Sequence, residues 1–148
     1  MLGYYKNKEA TDETFDRDGW LKTGDLGLMD KDGFIYIKGR AKNMILGSSG
    51  QNIYPEEIEA KLNNLPFIQE SLVLEKENRL IALAYPDFEL MDSHNLSQQK
   101  LGAVMEKNRE KANKELPNYC QISKIEIYPE EFEKTPTKKI KRFLYSIT

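Results

Sequence analysis

The chain has 148 residues, of which 39% are apolar and 31% charged, a composition typical of one soluble globular domain. Its 22 basic and 24 acidic residues leave a net charge of −2, which argues against a nucleic-acid-binding protein. The apolar runs are too short for a membrane span of roughly 20 residues, and the single cysteine, which excludes an internal disulfide, favours a reducing, cytoplasmic setting.

The first 40 residues predict one hairpin and little else. Residues 1–19 are polar and lack periodicity, so we expect an irregular arm there. Strands are predicted over 27–29 and 34–38, joined by the turn sequence Asp30-Lys31-Asp32-Gly33. Because a lone hairpin is marginally stable in water, we expect residues 1–40 to be the C-terminal edge of a larger upstream lobe.

Residues 41–148 predict a separate α+β domain that is long enough to bury a core. A second ribbon is expected over 44–46 and 52–54, and a helix begins at Pro55, a residue suited to the first helical position. Together these patterns predict a small three-stranded core sheet with flanking helices and a β-ribbon. The other elements are two strands joined at Glu77-Asn78, a helix, a last strand and a short terminal helix, predicted at 68–74, 80–85, 97–116, 122–127 and 143–147.

Four short motifs carry the chemistry, although each has an ordinary structural explanation when taken singly. Asp25 would be a turn residue, Arg40 a solvated surface cation, and Pro55 a helix start. The basic run from Lys138 to Arg142 would be a solvated face. In chain order they are Trp20-Leu21-Lys22-Thr23-Gly24-Asp25, Gly39-Arg40-Ala41-Lys42, Gly50-Gln51-Asn52-Ile53-Tyr54-Pro55-Glu56-Glu57-Ile58-Glu59 and Lys134-Thr135-Pro136-Thr137-Lys138-Lys139-Ile140-Lys141-Arg142.

Taken together and in this order, the motifs resemble the AMP-forming acyl-CoA synthetase, adenylation-domain and luciferase superfamily over nearly the whole chain. The resemblance implies that Asp25 accepts hydrogen bonds from the ribose hydroxyls of the adenylate and that Arg40 also contacts the nucleotide. It places Lys42 at the hinge about which a mobile C-terminal lid, residues 41–148, rotates against an upstream N-terminal lobe. It also allows membrane association through that lobe.

The last motif resembles the family's Thr-x-Thr-Gly-Lys segment, which implies that Lys139 is the catalytic lysine. The family's glycine is replaced by Lys138, so two ammonium groups compete for the role, and the register favours Lys139. A compact ammonium is suited to stabilising charge that develops on a phosphoryl group.

The resemblance also implies the substrates. The loop Ser49-Gly50-Gln51 is expected to face CoA after the lid rotates, and ATP would arrive with Mg²⁺; neither is expected to bind this chain tightly, and no metal site is expected in it. The amino-acid sequence of residues 44–55 most resembles that of long-chain fatty-acid–CoA ligases. Two departures are a loop from Arg40 to Gly50 that is one residue longer than usual and Asn52 where relatives often carry a basic residue.

Three other functions fit parts of the sequence. The lid of an amino-acid or aryl-acid adenylation domain that loads a carrier protein would share these motifs. A calcium-binding module is suggested by Asp16-x-Asp18-Gly19 and Asp30-x-Asp32-Gly33, but neither is followed by the glutamate that closes an EF-hand loop. A partner- or nucleic-acid-docking module could use the basic run near Lys139, although nearby glutamates offset its charge.

Overall fold

A computed structural model describes residues 1–145, and the chain divides into two compact units, residues 1–43 and residues 44 onward. The architecture is mixed α and β with small sheets, as the sequence predicts. None of the helices in the described part of the chain combines the length and the apolar character needed to cross a bilayer.

The first unit contains a short helix and a ribbon. Helix α1 (Lys8–Thr14) precedes strands β1 (Asp25–Met29) and β2 (Ile35–Arg40), which pair antiparallel, and a 3-10 turn (Ala41–Asn43) ends the unit. The prediction of an irregular arm was wrong for α1. This helix buries no residue, so it has no apolar periodicity to detect; it begins instead at Asn7, whose side chain accepts a hydrogen bond from the Ala10 amide.

The two Asp-x-Asp-Gly sequences form the same kind of turn. Oδ1 of Asp30 accepts hydrogen bonds from the amides of Asp32 and Phe34, at 3.0 and 2.9 Å. Oδ1 of Asp16 accepts from the amides of Asp18 and Trp20, at 3.0 and 2.8 Å. An aspartate oxygen that captures the amides two and four residues onward stabilises a tight turn. The resemblance to calcium loops therefore has a structural explanation.

The second unit confirms the predicted α+β pattern. A two-stranded ribbon leads into a helix, and a three-stranded sheet of order β5-β6-β7 follows, with its long crossover helix between β6 and β7. Its elements are β3 (Ile45–Leu46), β4 (Asn52–Ile53), α2 (Pro55–Leu62), β5 (Ile68–Lys76), β6 (Arg79–Pro86), α3 (Phe88–Ser93), α4 (Gln98–Glu115) and β7 (Ile122–Ile127), followed by a 3-10 turn (Arg142–Leu144).

Two details of the second unit differ from the prediction. Helix α3 was not predicted; it is one short segment capped by Asp87, which accepts a hydrogen bond from the Leu90 amide at 2.9 Å. The predicted terminal helix is a 3-10 turn over Arg142–Leu144, and Ile147 lies outside the described residues. The predicted turn at Glu77-Asn78 is confirmed, with φ of 53° and 59°, the backbone that a two-residue hairpin requires.

The core sheet buries apolar side chains on both faces. Strands β5 and β6 pair antiparallel, whereas β6 and β7 pair parallel. One face packs on α2 and α4 through residues that include Leu62, Leu101 and Met105. The other face, which includes Leu72, is covered by the C-terminal segment, which contributes Phe132. This second face explains why the segment after β7 has a defined path although it contains no long helix.

Asn113 of α4 fastens the first residue of β7, and we expect Asn113→Ala to destabilise the second unit. The side-chain Nδ2 of Asn113 donates to the Ile122 carbonyl at 2.9 Å, and its Oδ1 accepts from the Ile122 backbone amide at 2.8 Å. The substitution leaves the half-buried Ile122 amide unpaired, while the Ile122 carbonyl keeps only a bond of 3.3 Å from Arg109. We therefore expect the free energy of unfolding to fall by about 1–3 kcal/mol, measured by urea unfolding with far-UV circular dichroism. The control Asn64→Ala removes an exposed bond to Ala60 and should cost far less. Equal losses would contradict the expectation.

Candidate functional site

The ribbon of the first unit brings Asp25 and Arg40 side by side. They are paired across β1 and β2, and the Arg40 Nε lies 2.9 Å from the Asp25 Oδ1. Arg40 also donates from Nη1 to the Thr23 carbonyl at 2.8 Å. The Arg40 and Asp25 side chains are 47% and 35% exposed, so a ligand can reach both. An ion pair this exposed contributes little to stability and is easily exchanged for a ligand contact.

A cleft of about 530 Å³ opens beside this pair within the first unit. Its lining includes Thr23, Gly24, Lys22, Arg40 and Lys42. Three of these side chains are cationic, against the single carboxylate of Glu13 in the lining. A cleft of this size and charge suits an anionic ligand as large as a nucleotide.

Lys22 lies in the cleft and belongs to the first motif, but sequence reasoning gave it no role in the site. It stands one position before Thr23-Gly24-Asp25, and its backbone amide donates to the Thr14 carbonyl at 2.8 Å. That bond ties the segment before β1 to the end of α1, which places the lysine in the lining. The signal in the sequence was its place within that motif, but its contact with an unpredicted helix could not be foreseen.

Lys139 lies on a small hairpin near the C-terminus. An antiparallel bridge joins Lys134 and Ile140 at its base. Thr135 organises the turn: its amide donates to the Lys139 carbonyl at 2.8 Å, and its hydroxyl accepts from the Lys139 amide at 3.2 Å. The hydroxyls of Thr135 and Thr137 lie 2.9 Å apart. The two threonines of the motif therefore shape the turn that presents the lysine.

Lys138 occupies the position in this turn at which glycine is favoured. Its φ is +59°, in the left-handed region that costs a residue with a Cβ about 1–2 kcal/mol. The Lys138 and Lys139 side chains are exposed, and neither has a hydrogen-bond or ion-pair partner among residues 1–145. The backbone thus keeps a glycine-like conformation at Lys138, which supports the register that assigns the family's lysine to Lys139.

Other basic side chains of the hairpin are engaged in ion pairs. Lys134 lies 2.9 Å from Glu70 of β5, and this hydrogen bond raises the pKa of the Lys134 ammonium above its usual value. Lys141 lies 2.9 Å from Glu133 across the hairpin. These pairings leave few charges for a nucleic-acid backbone, so they weigh against the docking alternative.

The loop between β3 and β4 is a compact turn. The Gly47 amide donates to the Gln51 carbonyl at 2.9 Å, the Gly50 amide donates to the Gly47 carbonyl at 2.8 Å, and Ser49 donates to the Gln51 side chain. Gly50 has φ of +81° and open space where a Cβ would stand. Glycine is therefore required by the backbone conformation. The loop borders a cavity of about 230 Å³ in the second unit.

Residues 42–144 match the family described as AMP-binding enzyme C-terminal domain. The chain belongs to this family. It is 36% identical to the probable acyl-activating enzyme 4 of Arabidopsis thaliana over 145 residues, which are 97% of this chain and 25% of that protein. It is 34% identical to a long-chain-fatty-acid–CoA ligase of Mycobacterium tuberculosis, over 95% of this chain and 26% of the relative.

The fold is also that of solved adenylate-forming enzymes. The adenylation domain of a carboxylate reductase from Mycobacterium chelonae superposes with a TM-score of 0.85 at 22% identity, covering 97% of this chain and 24% of that one. As a member of the AMP-binding enzyme C-terminal domain family, the chain spans about a quarter of the length of the curated relatives it matches. The family match begins at Lys42, the predicted hinge, and includes Lys139.

Cys120 and His94 show no arrangement for nucleophilic catalysis. Cys120 is buried in the core, and burial raises the pKa of its thiol, which disfavours the reactive thiolate. The His94 ring lies 3.0 Å from the Leu90 carbonyl and contacts the Phe67 ring edge-on, so it closes the end of α3. No group of three or more His, Cys, Asp or Glu side chains is placed to hold a metal ion in residues 1–145.

Proposed function

We propose that this chain is the C-terminal portion of an ATP-dependent, AMP-forming acid–thiol ligase, with an upstream lobe as its partner. The second unit would act as a mobile lid that hinges at Lys42 and carries Lys139 to the nucleotide. One observation supports this most strongly: a hairpin built by Thr135 and kept in a glycine-like conformation at Lys138 exposes the ammonium of Lys139, which has no partner among residues 1–145.

Lys139 would serve the first half of the reaction. A carboxylate oxygen of the acid attacks the α-phosphorus of ATP, and the bond to the leaving pyrophosphate breaks, which yields the acyl-adenylate. Two anions approach each other and negative charge builds on the phosphoryl oxygens, so an ammonium held between them lowers the barrier. Lys139 would then withdraw as the lid rotates.

The loop Ser49-Gly50-Gln51 would serve the second half. After rotation it would face CoA, whose thiol sulfur attacks the acyl carbonyl, releasing AMP and losing its proton. The absence of a side chain at Gly50 leaves open space on one side of this loop, which suits the close approach of a narrow pantetheine arm.

The cleft of the first unit would hold the nucleotide. Asp25 would exchange part of its ion pair with Arg40 for hydrogen bonds from the ribose hydroxyls, and Lys22, Arg40 and Lys42 supply positive charge for the phosphate. Mg²⁺ would enter with the triphosphate as part of the substrate.

A fatty acid is the substrate that we favour, in a cytoplasmic enzyme. The 34% identity to a long-chain-fatty-acid–CoA ligase supports this choice of substrate. The resemblance of residues 44–55 to such ligases supports it as well. The alternative is an adenylation domain that loads an amino or aryl acid on a carrier protein, because the same lid would serve either acceptor.

The proposal is tested by ATP–pyrophosphate exchange. These 148 residues alone should show no exchange with any acid, whereas the intact enzyme with its upstream lobe should exchange with fatty acids and form a thioester with CoA. Panels of fatty, aryl and amino acids, each with CoA or a carrier protein as acceptor, separate the two alternatives. Turnover by the isolated chain, or no exchange by the intact enzyme with any acid, would overturn the proposal.

A further inference from the structure

The hairpin that carries Lys139 is fastened at its C-terminal base by Arg142. Arg142 follows Lys139 by three residues and donates from Nη2 to Oε2 of Glu59 in helix α2. The Arg142 and Glu59 side chains are only 17% and 11% exposed. A charge pair this buried requires precise geometry, because each ion has lost most of its water.

The same two side chains also cover the outer edge of the core sheet. Glu59 accepts from the Val73 amide through Oε1 at 2.6 Å, and Arg142 donates from Nη1 to the Val73 carbonyl at 3.3 Å. Strand β5 stands at one end of the β5-β6-β7 order, so within the described residues the outward side of Val73 has no neighbouring strand. Backbone groups on such an edge need partners. Glu59 supplies the acceptor for the Val73 amide, and Arg142 supplies the donor for the Val73 carbonyl.

Other contacts hold the hairpin through more exposed groups. Lys134, at its N-terminal base, pairs with Glu70 of β5, and these side chains are 27% and 26% exposed. The Lys141–Glu133 pair closes the hairpin on itself, and its side chains are 34% and 64% exposed. Ile140 packs against the second face of the sheet but is only partly buried. Burial raises the pKa of the Glu59 carboxyl, and the Arg142 guanidinium opposes that rise. The anchor therefore depends on both partners being present.

Building on the proposed role of Lys139, we infer that Glu59 and Arg142 are positioning residues for that lysine. Their buried ion pair locks the segment just after Lys139 to α2 and to the edge of β5, so the exposed tip projects from a rigid base. A displacement of about 1 Å at a reacting group can cost about 10²-fold in rate. The pair should therefore affect the half-reaction that uses Lys139 and spare the half-reaction that does not.

The test compares the two half-reactions in the intact enzyme. Glu59→Gln and Arg142→Met should each lower kcat for adenylate formation by about 10- to 100-fold, with little change in KM for ATP. Thioester formation from supplied acyl-adenylate should stay within a few-fold of native, and Arg142→Lys should recover part of the loss. Equal loss in both half-reactions, or an unchanged adenylation rate, would overturn the inference.

Two controls separate this inference from folding and from the proposed function. Lys124→Met removes a cation from an exposed pair on β7, at the opposite edge of the sheet, and should leave both half-reactions unchanged. In the 148-residue chain, Glu59→Gln should speed amide hydrogen exchange in residues 134–140 more than in β6; uniform acceleration would indicate general destabilisation and overturn the inference. If Lys139→Ala lowers adenylation selectively while the pair variants do not, the proposed function stands and only the positioning role fails.

Discussion

Lys139→Ala in the intact enzyme should slow adenylate formation by about 10²–10³-fold, because one electrostatic contact to the transition state is worth about 2.7–4 kcal/mol. The ammonium stands at the exposed tip of its hairpin without a partner among residues 1–145, so its removal disturbs no ion pair of the described fold. Thioester formation from supplied acyl-adenylate should be nearly unaffected. Single-turnover assays of each half-reaction measure the two effects separately.

Lys138→Gly is the matched comparison for that experiment. It removes the neighbouring ammonium and also relieves the left-handed backbone at φ +59°, so the hairpin should be retained or slightly stabilised. Adenylation by this variant should stay within a few-fold of native. If Lys138→Gly abolished adenylation while Lys139→Ala did not, the catalytic role would pass to Lys138; equal loss of both half-reactions in Lys139→Ala would remove the lysine from the proposed mechanism.

Leu62→Ala should lower the free energy of unfolding of the second unit by about 2–5 kcal/mol, because a leucine buried on all sides leaves a cavity when it is truncated. Leu62 is 0% exposed, lies at the end of α2, and belongs to the main core cluster. Urea unfolding followed by far-UV circular dichroism is the appropriate measurement, since the single tryptophan, Trp20, lies in the first unit.

Leu46→Ala is the control in the same unit. Leu46 is 64% exposed, so its truncation removes little buried surface and should change stability by less than about 0.5 kcal/mol. Similar losses for the two variants would show that the core does not depend on Leu62 as its burial implies. A large loss confined to Leu62→Ala would confirm that this apolar contact holds α2 to the sheet. Helix α2 also contains Glu59.

Regular elements with apolar periodicity were predictable from the sequence. Strands β5 and β6 consist of short apolar runs on either side of Glu77-Asn78, and α2 begins at a proline followed by glutamates. Each signal is local, since side chains within a few residues dictate the backbone. The two unpredicted helices, α1 and α3, are short and start at Asn7 and Asp87. They have little or no buried face, so capping rather than periodicity accounts for them.

By itself, the sequence determined the α+β pattern, the order of the motifs and the family resemblance that the match over residues 42–144 confirms. Only the tertiary structure decided which charges meet. Asp25 and Arg40 are neighbours because β1 and β2 pair, and Glu59 reaches Arg142 across 83 positions because both side chains satisfy the Val73 backbone. Contacts between distant residues depend on how elements pack, and no local pattern encodes them. Lys139 could thus be named from its motif, whereas what holds it in place could not.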